Sequence, residues 1–160
     1  MAWRGGPRSQ AGAIVKPDHT LVRFIWAIAA LNAAHTADHV IRGDFHWPPD
    51  GQSVGFILVI TSIYLVIGIG LRLSYSGTVG PRFWTIIGGV GLALGWLSHF
   101  SPFTDQPVHV IHDAYHGTIG GPVAVVCLML LMGVVLVATM YSAYLWHDQR
   151  RRSTARPVAG

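Results

Sequence analysis

The chain has 160 residues, of which 51% are apolar and only 11% charged, and its mean hydropathy is +0.45. A soluble domain carries about 25% charged residues, so these proportions exclude an ordinary water-soluble globule and predict an all-α integral membrane protein. The formal charge is +4, and all seven acidic residues are Asp, which removes the Glu ligands that a ferritin-type carboxylate-bridged iron pair needs.

In chain order, residues 1–20 are rich in Gly, Pro and basic side chains and predict a flexible cytoplasmic tail. No short apolar core with a small-residue cleavage site stands near the start, so the first span is expected to act as its own insertion signal. Four apolar runs follow, at about 21–41, 54–73, 83–100 and 123–146. Roughly 20 helical residues cross a bilayer core of about 30 Å. Helices are the expected form, because they satisfy backbone polar groups within the segment. The expected fold is therefore an integral membrane four-helix bundle with a short amphipathic helix in the extracytoplasmic loop between spans three and four. Residues 147–160 read as a basic cytoplasmic tail. The Gly91–Gly95 pair has the small-xxx-small spacing that permits close helix approach. Trp26, Trp47, Trp84, Trp96 and Trp146 fall near the expected interfaces. Cys127 is the one cysteine, so the chain can form no internal disulfide and has no CxxC motif.

Charge placement orients the bundle. Arg4, Arg8, Lys16, Arg23, Arg72, Arg82, Arg150, Arg151, Arg152 and Arg156 fall on one side of the four runs, ten of the eleven basic residues, and the positive-inside rule makes that side cytoplasmic. The exception is Arg42. The opposite side holds Asp38, Asp44, Asp50, Asp105 and Asp113, with seven of the nine histidines. The basic pI near 9.7 is thus a topology signature of a multi-pass cell-membrane protein with both termini cytoplasmic, not a nucleic-acid patch.

Those seven histidines are phased. His109, His112, Asp113 and His116 stand at i, i+3, i+4 and i+7, which places them on one face of a helix over the stretch 104–121. Val108, Ile111 and Tyr115 fall on the other side. Thr104 or Asp105 is expected to cap this helix, Pro107 to sit in its first turn and Gly117 to end it. The first span ends with Asn32, His35, His39 and Arg42 in a second polar stripe, and His35–His39 is an HxxxH pair able to share a metal. His99 closes span three, and His46 follows in a loop. Ionisable residues at membrane depth are functional candidates by default. The expected metal ligands are His35, His39, His112 and His116, then His99 and His109, then His46. Asp38 and Asp113 are the expected general bases, Asp38 being equally suited to orient a ligand imidazole. The helix at 104–121 would lie as a lid across the outer mouth of the bundle and complete the site.

Imidazole with carboxylate suits iron, copper(II) or zinc, as one or two ions. The expected function is a membrane metalloenzyme acting on a lipid-soluble or small apolar substrate, by oxygenation with iron or copper and by hydrolysis with zinc. The alternatives are a metal-binding or metal-delivery membrane protein and, third, a haem-binding electron-transfer subunit with His35 or His39 and His99 as axial ligands. Partners are the bilayer, the metal and a lipophilic substrate; a homo-oligomer or a larger membrane complex fits equally. The His35–His39 and His112–His116 spacings resemble the histidine boxes of membrane fatty-acid hydroxylases and desaturases, whose boxes face the cytoplasm, opposite to the side expected here. The stretch DHVIRGDFH is similar to the copper-binding helix of particulate methane and ammonia monooxygenase C subunits, with a different spacing.

Overall fold

The computed structural model describes residues 17–104 and 106–154. Most of the N-terminal tail, Asp105 and residues 155–160 lie outside them, and with them Arg4, Arg8, Lys16 and Arg156. Among the described residues all regular structure is helical: α1 (His19–Arg42), α2 (Gly51–Tyr75), α3 (Pro81–His99), α4 (Val108–Asp113) and α5 (Gly120–Thr154).

The boundaries follow local chemistry. The Asp18 carboxylate accepts from the Leu21 amide at 2.8 Å and starts α1, inside the stretch expected as tail. Gly43, at φ 93°, ends α1 in the left-handed conformation that glycine adopts without strain, and its amide bonds back to His39 and Val40. Asp50 caps α2 through the Ser53 amide at 2.9 Å. Pro81 opens α3, where its missing N–H costs nothing. The fifth helix continues past Trp146, the expected end of the last run, to Thr154.

Two helices, α2 and α5, are long and apolar enough to cross a membrane, with mean hydropathies of 2.5 and 2.8 over their best windows. Four such helices were expected. In α1 the stripe Asn32, His35, Asp38 and His39 dilutes the apolar run. In α3, only 19 residues long, Arg82 and His99 near its two ends lower the average, with four glycines and two tryptophans between them.

α5 forms the spine, packing against α3, α1 and α4, while α2 packs mainly against α1. One apolar cluster joins Leu21, Val22 and Ile25 to Ile67, Leu71 and Trp84, at the end where α2 turns into α3. Here the Trp84 indole N–H donates to Ser74 Oγ at 2.8 Å. A second cluster, Ile111, Ala124 and Leu128, docks α4 on α5 at the opposite end. Between α3 and α5 the close approach depends on glycine. A Cβ on Gly95 would stand 2.5 Å from Met132 Sδ, and one on Gly88 would collide with Thr139 Oγ1; at Gly91 the nearest atom, of Val135, is 3.9 Å away. The tight pair is therefore Gly88 and Gly95.

Thr139 cannot swing aside freely, because its hydroxyl donates to the Val135 carbonyl at 2.7 Å. Gly88→Ala is thus expected to destabilise the protein by about 1–3 kcal/mol through overpacking. Gly89→Ala, whose methyl would enter open space, is expected to leave thermal unfolding in detergent unchanged. Equal behaviour of the two variants would refute the packing assignment.

Candidate metal centre

Residues four apart on α1 share a face, and that spacing brings the His35 and His39 rings together. His99, the last residue of α3, reaches across to the same point. His35 Nε2 lies 3.1 Å from His39 Nε2 and 3.3 Å from His99 Nε2. The ring centroids are 4.6 and 5.1 Å apart, meeting edge to face. His35 and His99 are buried and His39 nearly so. One ligand atom from each of the three rings fits within 4.8 Å of the others.

The outward ring nitrogens fix the tautomers. His39 Nδ1 stands 2.6 Å from Asp44 Oδ2. Burial pushes the Asp44 carboxyl up, but hydrogen bonds from His39 and Gln106, with the nearby His39 and Arg42 charges, hold it below its ordinary value. An ionised carboxylate only accepts, so in the shorter contact His39 Nδ1 is the donor, and Arg42 Nη2, 3.2 Å from that nitrogen, is a neighbour rather than its hydrogen-bond partner. His99 Nδ1 faces the Gln106 carbonyl at 3.3 Å and is likewise the donor. With both rings neutral, each has one N–H, and the Nε2 atoms of both then present lone pairs to His35 Nε2. A proton on His35 Nε2 can satisfy only one of them. A cation among the three resolves this arrangement. It would also make His35 Nδ1, a buried atom with no hydrogen-bond partner, an N–H, with Asp38 Oδ2 at 4.0 Å. Metal–imidazole bonds of about 2.0–2.1 Å in tetrahedral geometry place donor nitrogens roughly 3.3 Å apart, close to the two separations found.

Around the imidazoles lies a buried ionic network. Arg42 Nε donates to Asp38 Oδ2 at 3.0 Å, and Nη1 donates to Gln106 Oε1 at 2.9 Å. Its Nη2 sits 3.2 Å from His39 Nδ1 and 3.7 Å from Asp44. Gln106 Nε2 donates to Asp44 Oδ1 at 2.8 Å, as does Gln52 Nε2 at 3.3 Å. The Tyr115 hydroxyl donates to Asp38 Oδ1 at 2.7 Å. Burial, then that bond, pushes the Tyr115 phenol up to about 12. With neutral imidazoles, Asp38 and Asp44 outweigh Arg42 by one negative charge.

The other expected residues stand elsewhere. α4 ends at Asp113, and His116 lies beyond it in a turn at φ 50°, so His112 and His116 do not share a helical face. α4 turns Ile111, fully buried, toward α5 with Val108 and Tyr115 beside it. His109, His112 and His116 are consequently exposed. The choice of face follows from cost: apolar area gains by burial, whereas an imidazole buried without a partner loses. Asp113 is 74% exposed and bonds His112 at 3.0 Å. His46 is half-exposed, near Ser53 Oγ at 3.3 Å and Asp50 at 3.5 Å. Asp38, expected as a base, has both oxygens engaged by Arg42 and Tyr115. The expected cap Asp105 lies outside the described residues, and Pro107 precedes α4 without a side-chain cap. What the α3–α5 connection brings to the imidazoles is Gln106 and Tyr115, neither of which the spacing of histidines singled out. Arg42, the one basic residue on the acidic side, was the available signal for the network.

The chain matches no protein-family model, no curated protein and no solved structure.

Asp44 orients His39 through its protonated nitrogen, the commonest way proteins fix a ligand imidazole. Asp44→Asn is expected to weaken binding of cobalt(II) or zinc by about 10–100-fold without unfolding the chain, measured by competition with a chelating dye. An unchanged affinity would remove Asp44 from the site.

Proposed function

We propose that the chain is a membrane metalloenzyme whose single ion is held by His35, His39 and His99 at the extracytoplasmic boundary of a four-helix bundle. The carrying observation is that three imidazoles, not four ligands, converge. Structural metal sites are usually closed with four protein ligands, whereas three ligands leave a coordination position for a substrate or water. The surplus negative charge around the cluster favours a cation there. The ion would supply oxygen activation if it is iron or copper, and a lowered pKa for bound water if it is zinc. The protein's own residues orient and bind: Asp44 and the Gln106 carbonyl fix two ring tautomers, and Arg42 holds Asp38 and Asp44 in place.

The membrane placement draws on an inverted distribution of side chains. Asn32, His35, Asp38 and Ser142 are buried, while Leu58, Leu65, Leu94, Val137 and Met140 are exposed. Water-soluble proteins bury the second set and expose the first. In this placement α1 and α3 also span, their polar residues facing inward, and Arg23, Arg72, Arg82 and Arg150 mark the cytoplasmic end. The centre then sits where the apolar belt meets the polar loops. A lipid-soluble or small apolar substrate is the class that reaches such a point from the bilayer.

Haem fits less well. Opposed axial imidazoles need roughly 4 Å between nitrogens, twice a metal–imidazole bond, with a porphyrin between them; His35 and His99 touch at 3.3 Å. A second reading, metal delivery without catalysis, is favoured by the exposed imidazoles His109, His112 and His116 at the same end.

Purified in detergent, the protein is expected to hold one transition-metal ion per chain and to show no Soret band. His35→Ala, His39→Ala and His99→Ala should each lose that ion, and the triple variant of His109, His112 and His116 to Ala should keep it. Retention in the first three, or loss in the triple variant, would overturn the ligand assignment. Azide added to the cobalt(II) form should shift its visible spectrum through the open position; indifference to azide would favour delivery over catalysis.

A further inference from the structure

A second charged constellation lies at the opposite end of the bundle. The Arg150 guanidinium sits 4.9 Å from the centre of the Trp146 ring, one helical turn before it on α5. Arg82, from the first turn of α3, approaches the same ring at 5.7 Å. Two cations thus share one indole. Each is attracted to the ring face, but they repel one another. Among the described residues neither has a carboxylate within ion-pairing distance. The neighbouring Arg152 does, with Asp148 at 2.9 Å. Beside the ring α5 presents an open surface groove lined by Trp146, Gln149, Arg150, Ser153 and Thr154.

We propose that Arg82, Arg150 and Trp146 form a binding site for the headgroup of an anionic phospholipid. Guanidiniums pair with phosphate oxygens through two parallel N–H donors, and two unpaired guanidiniums match a lipid whose phosphate charge is not cancelled by its own headgroup. Resting on the membrane placement above, the assignment also explains the position. A tryptophan at the end of an apolar run marks the headgroup level. Below Trp146, α5 exposes Leu136, Val137, Met140 and Tyr144, the kind of surface acyl chains cover. The site is on a different pair of helix ends from the imidazoles and needs no metal.

The test uses the whole protein, reconstituted in nanodiscs of phosphatidylglycerol or phosphatidylcholine, then exchanged into detergent at constant ionic strength. Retained lipid is counted by native mass spectrometry. Wild type is expected to keep phosphatidylglycerol in preference to phosphatidylcholine. The double variant Arg82→Gln, Arg150→Gln should lose that preference by about twenty-fivefold, about fivefold per arginine. The charge-matched control Arg23→Gln, Arg151→Gln should keep it. Equal loss in the control would show a general basic surface and overturn the site, as would equal retention in the double variant. Full displacement of the lipid by inorganic phosphate would also overturn it, since a free anion would then be the ligand. Should the membrane placement itself be wrong, the protein would enter neither kind of nanodisc, an outcome separate from all of these.

Discussion

A guanidinium buried between two carboxylates ties the polar end of this bundle together. Arg42 binds Asp38 on its own helix, lies against Asp44 in the following loop and donates to Gln106 in the connection between α3 and α5. Removing one partner of such a group strands the others, at a cost of about 3–5 kcal/mol for a buried pair. Each group held by Arg42 in turn holds something else. Asp44 orients His39, Asp38 receives Tyr115, and the Gln106 backbone receives His99. The positions of two of the three imidazoles are therefore consequences of one ionic network.

That network explains why the loops and not the helices decide the chemistry. Helical phasing alone puts His35 and His39 on one face, and packing α1 and α3 on the common helix α5 brings His99 near. Convergence of nitrogens at hydrogen-bonding distance needs more, because each ring can rotate about two torsions. Asp44 and Gln106 remove that freedom for His39 and His99. They do so from irregular segments, which are cheap to vary around a fixed bundle. The small residues on α3 contribute at a different level: Gly88 and Gly95 let α3 approach α5 closely enough for its last turn to reach α1.

Much of this could be read in the sequence where periodicity was sufficient. The four apolar runs mark the four long helices, and the stripe Asn32–His35–His39 marks the inward face of α1. Hydropathy alone recovers only α2 and α5 as apolar enough to span, because the residues that make α1 interesting are those that lower its score. The stretch from 104 to 121 shows the limit of phasing. Its histidines and its apolar residues define two opposite faces, and a pattern cannot say which face turns inward. Ile111, seated against Ala124 and Leu128, decides it, and the imidazoles face outward as a result. Gln106 had no pattern at all: a lone amide in a loop becomes central only through partners 62 and 64 residues away. Asp38 and Asp44 both stand within a few residues of Arg42 in the sequence, and the fold brings both to its guanidinium.

The central claim is a three-imidazole ion site at the junction of α1 and α3. X-ray absorption of the metal-loaded protein tests it most directly. Three nitrogen neighbours at about 2.0–2.1 Å, with the outer-ring scattering of imidazole, are the predicted result, falling to two in His99→Ala. A sulfur neighbour, which only Cys127 or a methionine could provide, or a shell of oxygens without imidazole scattering, would contradict it.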